Sequence, residues 1–333
     1  MKVMLLTSEG FDTPNSINHL LIALAEDILR NGNDLYLISS HKTGTYPDTP
    51  AILNEYTRFS HSVISRKIID KNNFLLRYFD EVKYVFSTFK VWIKRKRQIE
   101  IVILQSNPLS FLHAIMIRLF LNKPIILNLY DVFPGHAEKI GVIKSRLIYN
   151  ALRWLQRVLY MTCNRIVVMS EDMKDVLSNE NVDAKKILVI NNWYDDEIFK
   201  VKPYKDNAFM RANNLSEDLF YVQFAGLLGY VFDDQTFLDV AEELIDYPKI
   251  RFLLIGDGNQ KERIINEIRT RKIDNIDYFP WQPLDIINDV YNACDIGFIP
   301  LKDGVIGNGI PSKACQLMAL QKVILNSVED SVY

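Results

Sequence analysis

IGFIPLKDGVIGNGIPSKACQLMALQKVILNS, Ile296 to Ser327, decides how the rest of the chain is read. Ile296–Pro300 is apolar and short, as a buried strand is, and the loop behind it holds Gly304, Gly307 and Gly309. Pro311 and Ser312 then open a short apolar helix, and Lys322–Leu325 reads as the next strand. Proline suits the first helical turn, where the N–H it lacks would have no partner anyway. Glycine ahead of it lets backbone come close to a ligand. The helix N-terminus offers N–H groups and partial positive charge to an anion, and Lys313 adds a full charge. Together they are the equipment of a phosphate site at the carboxyl end of a parallel strand. The alternative is a surface loop capped by an ordinary helix.

Working back from this stretch, the same strand–loop–helix unit recurs. Leu219–Ala225 is a strand, Gly226–Gln235 a loop and Thr236–Asp246 a helix. Ile250–Ile255 runs into Gly256-Asp257-Gly258 and a helix reaching about Lys272. Ile276–Phe279 leads to the loop WQPLD, which starts at Trp281, and to the helix Ile286–Ala293. Residues 196–217 are polar and unpatterned and read as a linker.

Ahead of the linker lies a second series. Lys2–Thr7 is a strand, Ser8–Asn18 a loop, His19–Arg30 a helix stopped by Asn31-Gly32, and Asp34–Ser40 a strand. The first loop carries only Gly10, which is no dinucleotide fingerprint and argues against a nicotinamide enzyme. Strands Ile99–Leu104 and Pro124–Leu129 flank the helix Pro108–Leu121. A basic helix from about Ser145 to Thr162 precedes the strand Arg165–Met169, the helix Asp172–Leu177 and the strand Lys186–Ile190. Alternating strands and helices predict α/β architecture with parallel sheets. The expected organisation is two doubly wound, Rossmann-like domains, residues 1–200 and 201–333, with a cleft between them.

The totals agree with an ordinary globular protein: 333 residues, 48% hydrophobic and a net charge of −2. Charge is uneven, with 26 basic and 21 acidic residues in 1–200. Cys163, Cys294 and Cys315 stand alone in their segments, so neither a metal pattern nor a disulfide framework is expected, and a reducing compartment is. MKVMLLTSEG is too short in its apolar part for a signal peptide, and no run of about 18 apolar residues offers a bilayer span.

Two local features have competing readings. Residues 62–98 form a basic-aromatic stretch, and residues 66–97 within it hold ten Lys/Arg against three acids. It reads as a helix on an anionic membrane face, or as an amphipathic helix packing its aromatics on the sheet. Nucleic acid is not expected, because the chain as a whole is not basic. In DVFPGH, Asp131 and His136 lie at a strand's carboxyl end, where open α/β sheets place ligand groups. The alternative is Asp131 capping a turn.

Several segments resemble a known family. Tyr130–Pro134 (YDVFP), Ile166–Leu177 (IVVMSEDMKDVL), Lys186–Asp195 (KILVINNWYD), Phe252–Gly258 (FLLIGDG), and Ala293–Leu301 followed by Ile310–Leu320 resemble, in order, motifs of retaining glycosyltransferases of family 4. The similarity is to the branch that builds bacterial surface polysaccharides and capsules, and it runs from Met1 to Ser327. It implies the GT-B fold and transfer of a sugar from a nucleoside diphosphate donor, UDP-linked, with retained anomeric configuration. It implies no metal and no cofactor. The acceptor would be a lipid-linked or growing glycan, and the enzyme cytoplasmic, peripheral on the inner face of the membrane. The donor would lie on the second domain, against Gly229, Trp281, Asn308, Gly309, Pro311, Ser312, Lys313 and Gln316. Gly10 and Asn18 would border the acceptor, with Asp131, His136 and Lys313 as the catalytic candidates.

The chain departs from the family in three ways. The family's paired glutamates, eight positions apart, fall on Asn308 and Gln316. Glutamine can accept from one ribose hydroxyl and donate to the other, without the charge assistance of a carboxylate; otherwise Gln316 is a polar residue on the helix's exposed edge. The glycine loop GLLGYVFDDQT (Gly226–Thr236) has no cation where the family carries Arg or Lys for the diphosphate. A carboxylate at 4 Å from phosphate would cost about 4 kcal/mol at an effective dielectric near 20, so either Asp233 and Asp234 point away, as solvated loop acids, or phosphate binding here is weak. The adjacent pairs Asp233-Asp234 and Asp195-Asp196 also lack the D-x-D spacing of metal-dependent transferases. Finally, only VEDSVY follows Ser327, which reads as a fragment or a truncated product. A nucleotide-sugar epimerase and a non-catalytic binding or scaffold homologue are the competing functions.

Overall fold

The computed structural model describes residues 1–11, 18–41, 49–69, 74–135, 138, 143, 145–192, 194, 198–306, 309 and 311–330. The chain divides into two compact units, Met1–Glu138 with Ile143–Asn191, and Asn192–Tyr333 together with Lys139–Val142.

In the first unit, β1 (Lys2–Leu6), α1 (Asn18–Arg30), β2 (Asp34–His41) and β3 (Phe59–Ser65) are followed by α2 (Phe74–Trp92) and β4 (Ile101–Gln105). Then come α3 (Ser110–Met116), which ends in one π-helical turn (Ile117–Leu121), β5 (Ile125–Asn128), α4 (Arg146–Thr162), β6 (Arg165–Val168), α5 (Glu171–Asn179) and β7 (Ile187–Val189). The seven strands are all parallel, in the order β3-β2-β1-β4-β5-β6-β7. Chain order reverses direction between β1 and β4. Right-handed crossovers therefore put α1 on one face and α2 to α5 on the other. β1 and β2 are buried almost throughout, as strands covered on both faces must be.

The second unit contains α6 (Ala208–Ala212), β8 (Phe220–Ala225), α7 (Asp234–Glu243), β9 (Ile250–Ile255), α8 (Lys261–Arg271) and β10 (Ile276–Phe279). It continues with α9 (Ile287–Asn292), β11 (Ile296–Pro300), α10 (Lys313–Ala319) and β12 (Val323–Ser327). Its five parallel strands run β10-β9-β8-β11-β12, so the reversal falls between β8 and β11. Phe224, Phe237, Phe252 and Phe298 pack one face of this sheet, and Tyr221, Leu253, Ile299 and Leu317 the other. The three cysteines are free and buried, and burial pushes the Cys163 and Cys294 thiols up to about 12.

Three segments differ from the sequence expectation. β3 was not anticipated: FSHSVIS sits on the sheet's edge, where a half-polar strand is tolerated, and its alternation is swamped by the basic run that follows. The segment expected to be an unstructured linker contains α6, capped by Asn207, whose side chain accepts from the Met210 N–H. Phe209 and Met210 are the reason, because both enter the core of the second unit. The basic-aromatic stretch packs part of its aromatics inward, as the amphipathic-helix reading has it. Trp92 is buried and Phe89 packs edge-on against Trp92 and Phe120, while Phe79 and Phe86 remain exposed. Among the described residues, no helix is long and apolar enough to cross a membrane.

Candidate functional site

In a doubly wound sheet, ligands bind outside the carboxyl ends of the strands where chain order reverses. In the second unit that point is the end of β8 and β11. Two close approaches shape it. An ideal Cβ on Gly297 of β11 would stand 2.2 Å from Leu317 Cδ1, so the missing side chain lets α10 settle onto the sheet. At Gly256, after β9, φ is 143° and a Cβ would stand 1.8 Å from the Gly226 carbonyl oxygen. Only glycine allows the loops after β8 and β9 to touch backbone to backbone. The Leu228 N–H donates to Asp257 O (2.9 Å) and the Gln260 N–H to Leu228 O (3.0 Å), which pins the loop around Gly229.

Lys313 reaches into this junction from the start of α10. Its Nζ lies 3.5 Å from the centroid of the Phe224 ring, at the end of β8. A Cβ on Gly226 would come within 2.8 Å of the same nitrogen. Desolvation lowers its pKa from 10.5 to about 7, and no carboxylate is paired with it among the described residues. Gln316, three residues on, shares the helix face of Lys313. It is only 6% exposed and its buried Oε1 has no hydrogen-bond partner among the described residues. The exposed-edge alternative for Gln316 is thereby excluded. An unpaired buried acceptor costs about 1–3 kcal/mol, which an arriving donor would recover.

The aspartates of the glycine loop, expected as solvated loop acids, are both held by partners, Asp234 buried and Asp233 half-buried. Asp233 caps α7, its Oδ1 accepting from the Thr236 N–H (3.3 Å) and its Oδ2 from the Thr236 hydroxyl (2.6 Å). Asp234 is buried and paired with Arg263 at 2.8 Å. A capping need and a cation some thirty residues away in sequence turn both carboxylates to structural use. Asp195 and Asp196 lie outside the described residues.

The other expected donor residues are placed less tightly. The Gly309 N–H is spent within its loop on Val305 O (3.1 Å). Pro311 and Ser312 precede α10, but with seven residues this helix is barely two turns long, so Lys313 is left as the principal positive charge. Ser312 makes no capping hydrogen bond through its side chain. Trp281, half-exposed, follows β10, two strands from β8, hence about 10 Å away along the sheet. Asn308 lies outside the described residues. Phe224 was not foreseen, because a phenylalanine within an apolar strand gives no sign of carrying an amine on its face.

In the first unit, Asp131 is exposed just beyond β5, after the buried Tyr130. Beneath it, the Asn128 side-chain amide donates to Gln105 Oε1 (3.1 Å) and to the Tyr130 hydroxyl (3.4 Å). Asn18, at the start of α1, donates through Nδ2 to Gly10 O (2.9 Å), so these two residues hold the ends of their loop together. His136 lies outside the described residues. No three His, Cys, Asp or Glu side chains group as a metal centre among the described residues.

Two parallel sheets of this topology, with a lysine and an amide directed to one switch point, define a GT-B protein. The match to Glycosyltransferase Family 4 spans residues 17–198, more than half of the sequence, and the chain belongs to that family. It is 28% identical over 284 residues to "Probable glycosyltransferase WbjE" of Pseudomonas aeruginosa, covering 84% of this chain and 68% of WbjE. WcaI of Escherichia coli (strain K12), named as a candidate glycosyl transferase of colanic acid biosynthesis, is 22% identical over 160 residues, 47% of this chain and 39% of WcaI. Among solved structures, HepE of Anabaena in complex with UDP and glucose superposes with a TM-score of 0.70 at 12% identity, over 97% of this chain and 80% of HepE.

Proposed function

We propose that this protein is a retaining hexosyltransferase that takes a sugar from a UDP-linked donor and passes it to a lipid-linked or glycan acceptor during surface-polysaccharide synthesis. The observation that carries the donor half is Lys313, an amine held without a counter-ion at the β8/β11 switch point. A diphosphate supplies the missing anion, and the charged lysine stabilises the negative charge that builds on the leaving group. Gln316 Oε1 accepts a hydrogen bond from a ribose hydroxyl, and the backbone around Gly229 lines the phosphates. Trp281 flanks the base. Asn308 and Gly309 border the donor sugar. Asp131 and His136, on the first unit, serve the acceptor hydroxyl, near the loop closed by Gly10 and Asn18. No metal and no cofactor has a part in this scheme. HepE, crystallised with UDP and glucose, supports the donor class; WbjE and WcaI support the polysaccharide setting by their names.

The test is thermal stabilisation by UDP and a panel of UDP-sugars, followed by product analysis with the anomeric configuration read by NMR. Stabilisation follows RT ln(1 + [L]/Kd), about 2.7 kcal/mol at a hundredfold excess over Kd. Lys313→Ala turning over donor at the wild-type rate would remove the phosphate role. A second reading, a binding homologue without transfer, is favoured by glutamine in place of the family's carboxylate at position 316. Saturable UDP-sugar binding with no turnover on any acceptor identifies it.

A further inference from the structure

The amino ends of the first unit's strands border a cavity that neither folding nor sugar transfer uses. Strands β3, β2, β1 and β4 lie side by side, and the register pairs Lys2 with Asp34 and Tyr36 with Ser60. Directly opposed residues share a face of a sheet, as do residues two apart on one strand. Lys2, Asp34, Tyr36 and Ser60 therefore stand on one face. The turn that ends α2 (Ile93–Arg95) meets the same face, because Arg95 lays its guanidinium on the Tyr36 ring, 4.2 Å from the centroid. Arg58 enters from the loop ahead of β3, and Gln98 from the segment ahead of β4. The cavity among these side chains has a volume of about 370 Å³, within the roughly 300–1,000 Å³ of small-molecule pockets and near its lower end. Asp131 and the loop held by Gly10 and Asn18 belong to the opposite, carboxyl ends of the same strands, so this is not the acceptor side.

The charges around it are one-sided. Arg95 Nη1 donates to the Ser60 hydroxyl (2.8 Å) and Arg58 Nη2 to Leu29 O (3.4 Å), and both partners are neutral. Among the described residues Lys2, Arg58 and Arg95 form no ion pair, and Asp34 is the one carboxylate lining the cavity. A single unpaired arginine on a surface is ordinary. Here one of the two is fixed by a ring and a hydroxyl, so it loses little freedom on meeting an anion. A guanidinium carries five N–H donors. Ser60 takes one, which leaves Arg95 enough for a bidentate contact with phosphate.

Asp34 narrows the class of ligand. A carboxylate beside three cations repels a bare polyanion but accepts hydrogen bonds from hydroxyl groups, and the Gln98 amide both donates and accepts. A nucleobase finds no ring to stack on. Of the two aromatic side chains in the lining, Tyr36 is buried beneath Arg95 and Phe59 packs on the core of the first unit. One phosphate and several hydroxyls on a small frame satisfy all of these groups. We propose that the cavity binds a sugar phosphate, its phosphate monoester between Arg58 and Arg95 and its hydroxyls on Asp34 and Gln98. The site is built from the first unit alone and does not depend on the transferase reading.

The experiment is isothermal titration calorimetry of the full chain with glucose 6-phosphate, glucose 1-phosphate, glucose and inorganic phosphate, without UDP or acceptor. The expected result is saturable binding of a hexose phosphate, weakened by salt and roughly tenfold or more tighter than that of inorganic phosphate, with none of glucose. Arg58→Gln and Arg95→Gln each weaken it about tenfold, the loss of a charge-assisted hydrogen bond. Asp34→Ala brings the hexose phosphate down to the affinity of inorganic phosphate. Arg95 also packs on Tyr36, so the exposed Arg58 carries the test if Arg95→Gln lowers the thermal midpoint. Lys313→Ala leaves hexose-phosphate binding unchanged, which separates this site from the donor site of the second unit. Three results overturn the proposal: no saturable binding of either hexose phosphate, binding unchanged in both Arg58→Gln and Asp34→Ala, or binding lost in Lys313→Ala. Inorganic phosphate binding as tightly as the hexose phosphates overturns it too, because the cavity would then recognise charge without the sugar.

Discussion

Lys313 Nζ rests 3.5 Å from the centroid of the Phe224 ring, so the amine of α10 is carried by a side chain of β8. An aromatic face attracts a cation, but it cannot replace the water or carboxylate that usually surrounds one. Burial wins, and the pKa falls to about 7.

The first prediction concerns pH. With a folded pKa of about 7 against 10.5 for the free side chain, the unfolded chain binds one proton more between those values. This site therefore makes stability rise with pH across that window. Lys313→Met removes the slope, and its thermal midpoint exceeds the wild-type value most at the acid end. Bound UDP has the opposite demand, because its phosphates favour the charged lysine. UDP affinity should fall as pH rises above 7, with proton uptake on binding that calorimetry in buffers of different ionisation enthalpy detects. Lys313→Met should abolish the uptake.

Gln316→Leu separates stability from binding. It removes a buried acceptor without a partner, so the fold should gain about 1 kcal/mol in denaturant titration. The same change should weaken UDP at least fivefold. A loss of stability with unchanged UDP affinity would make Gln316 a structural residue.

Gly256→Ala and Gly229→Ala form a contrasting pair. The first places a Cβ 1.8 Å from a backbone oxygen at φ 143°, and nothing nearby can yield. A cost of about 2–3 kcal/mol is expected, together with loss of nucleotide binding. At Gly229 the nearest atom is a Leu227 methyl at 3.3 Å, which can rotate away, so the cost should stay below about 1 kcal/mol.

Arg66 closes the carboxyl end of β3 against α2. Its guanidinium, buried, lies 2.7 Å from Asp80 and 2.5 Å from Glu81, over the Tyr84 ring. Arg66→Met leaves two partly buried carboxylates without their cation and should cost about 3 kcal/mol. Adding Asp80→Asn and Glu81→Gln should recover part of that loss in urea titration.

The alternation of apolar runs with amphipathic segments made both sheets readable, since each buried strand is a short Val/Ile/Leu-rich run of its own. β3 escaped because an edge strand does not have to be apolar. α6 escaped because five residues hold too little periodicity to register, even though Phe209 and Met210 anchor it. Within the candidate site, Lys313 was singled out by the glycine–proline spacing ahead of it, and Gln316 by the resemblance to the family's second glutamate. The fate of Asp233 and Asp234 was not readable, because it depends on Thr236 and Arg263. Phe224 could be recognised only once α10 lay across β8.

The contact between Gly256 and Gly226 also constrains how such a protein can diverge. Two loops that meet main chain to main chain cannot lengthen independently, since an inserted residue in either would pry the other from its strand. Relatives that have lost glycine at the position of Gly256 should therefore also have rebuilt the segment after β8, and the specificity of this lobe should change by coordinated replacement of both loops, not by drift in one.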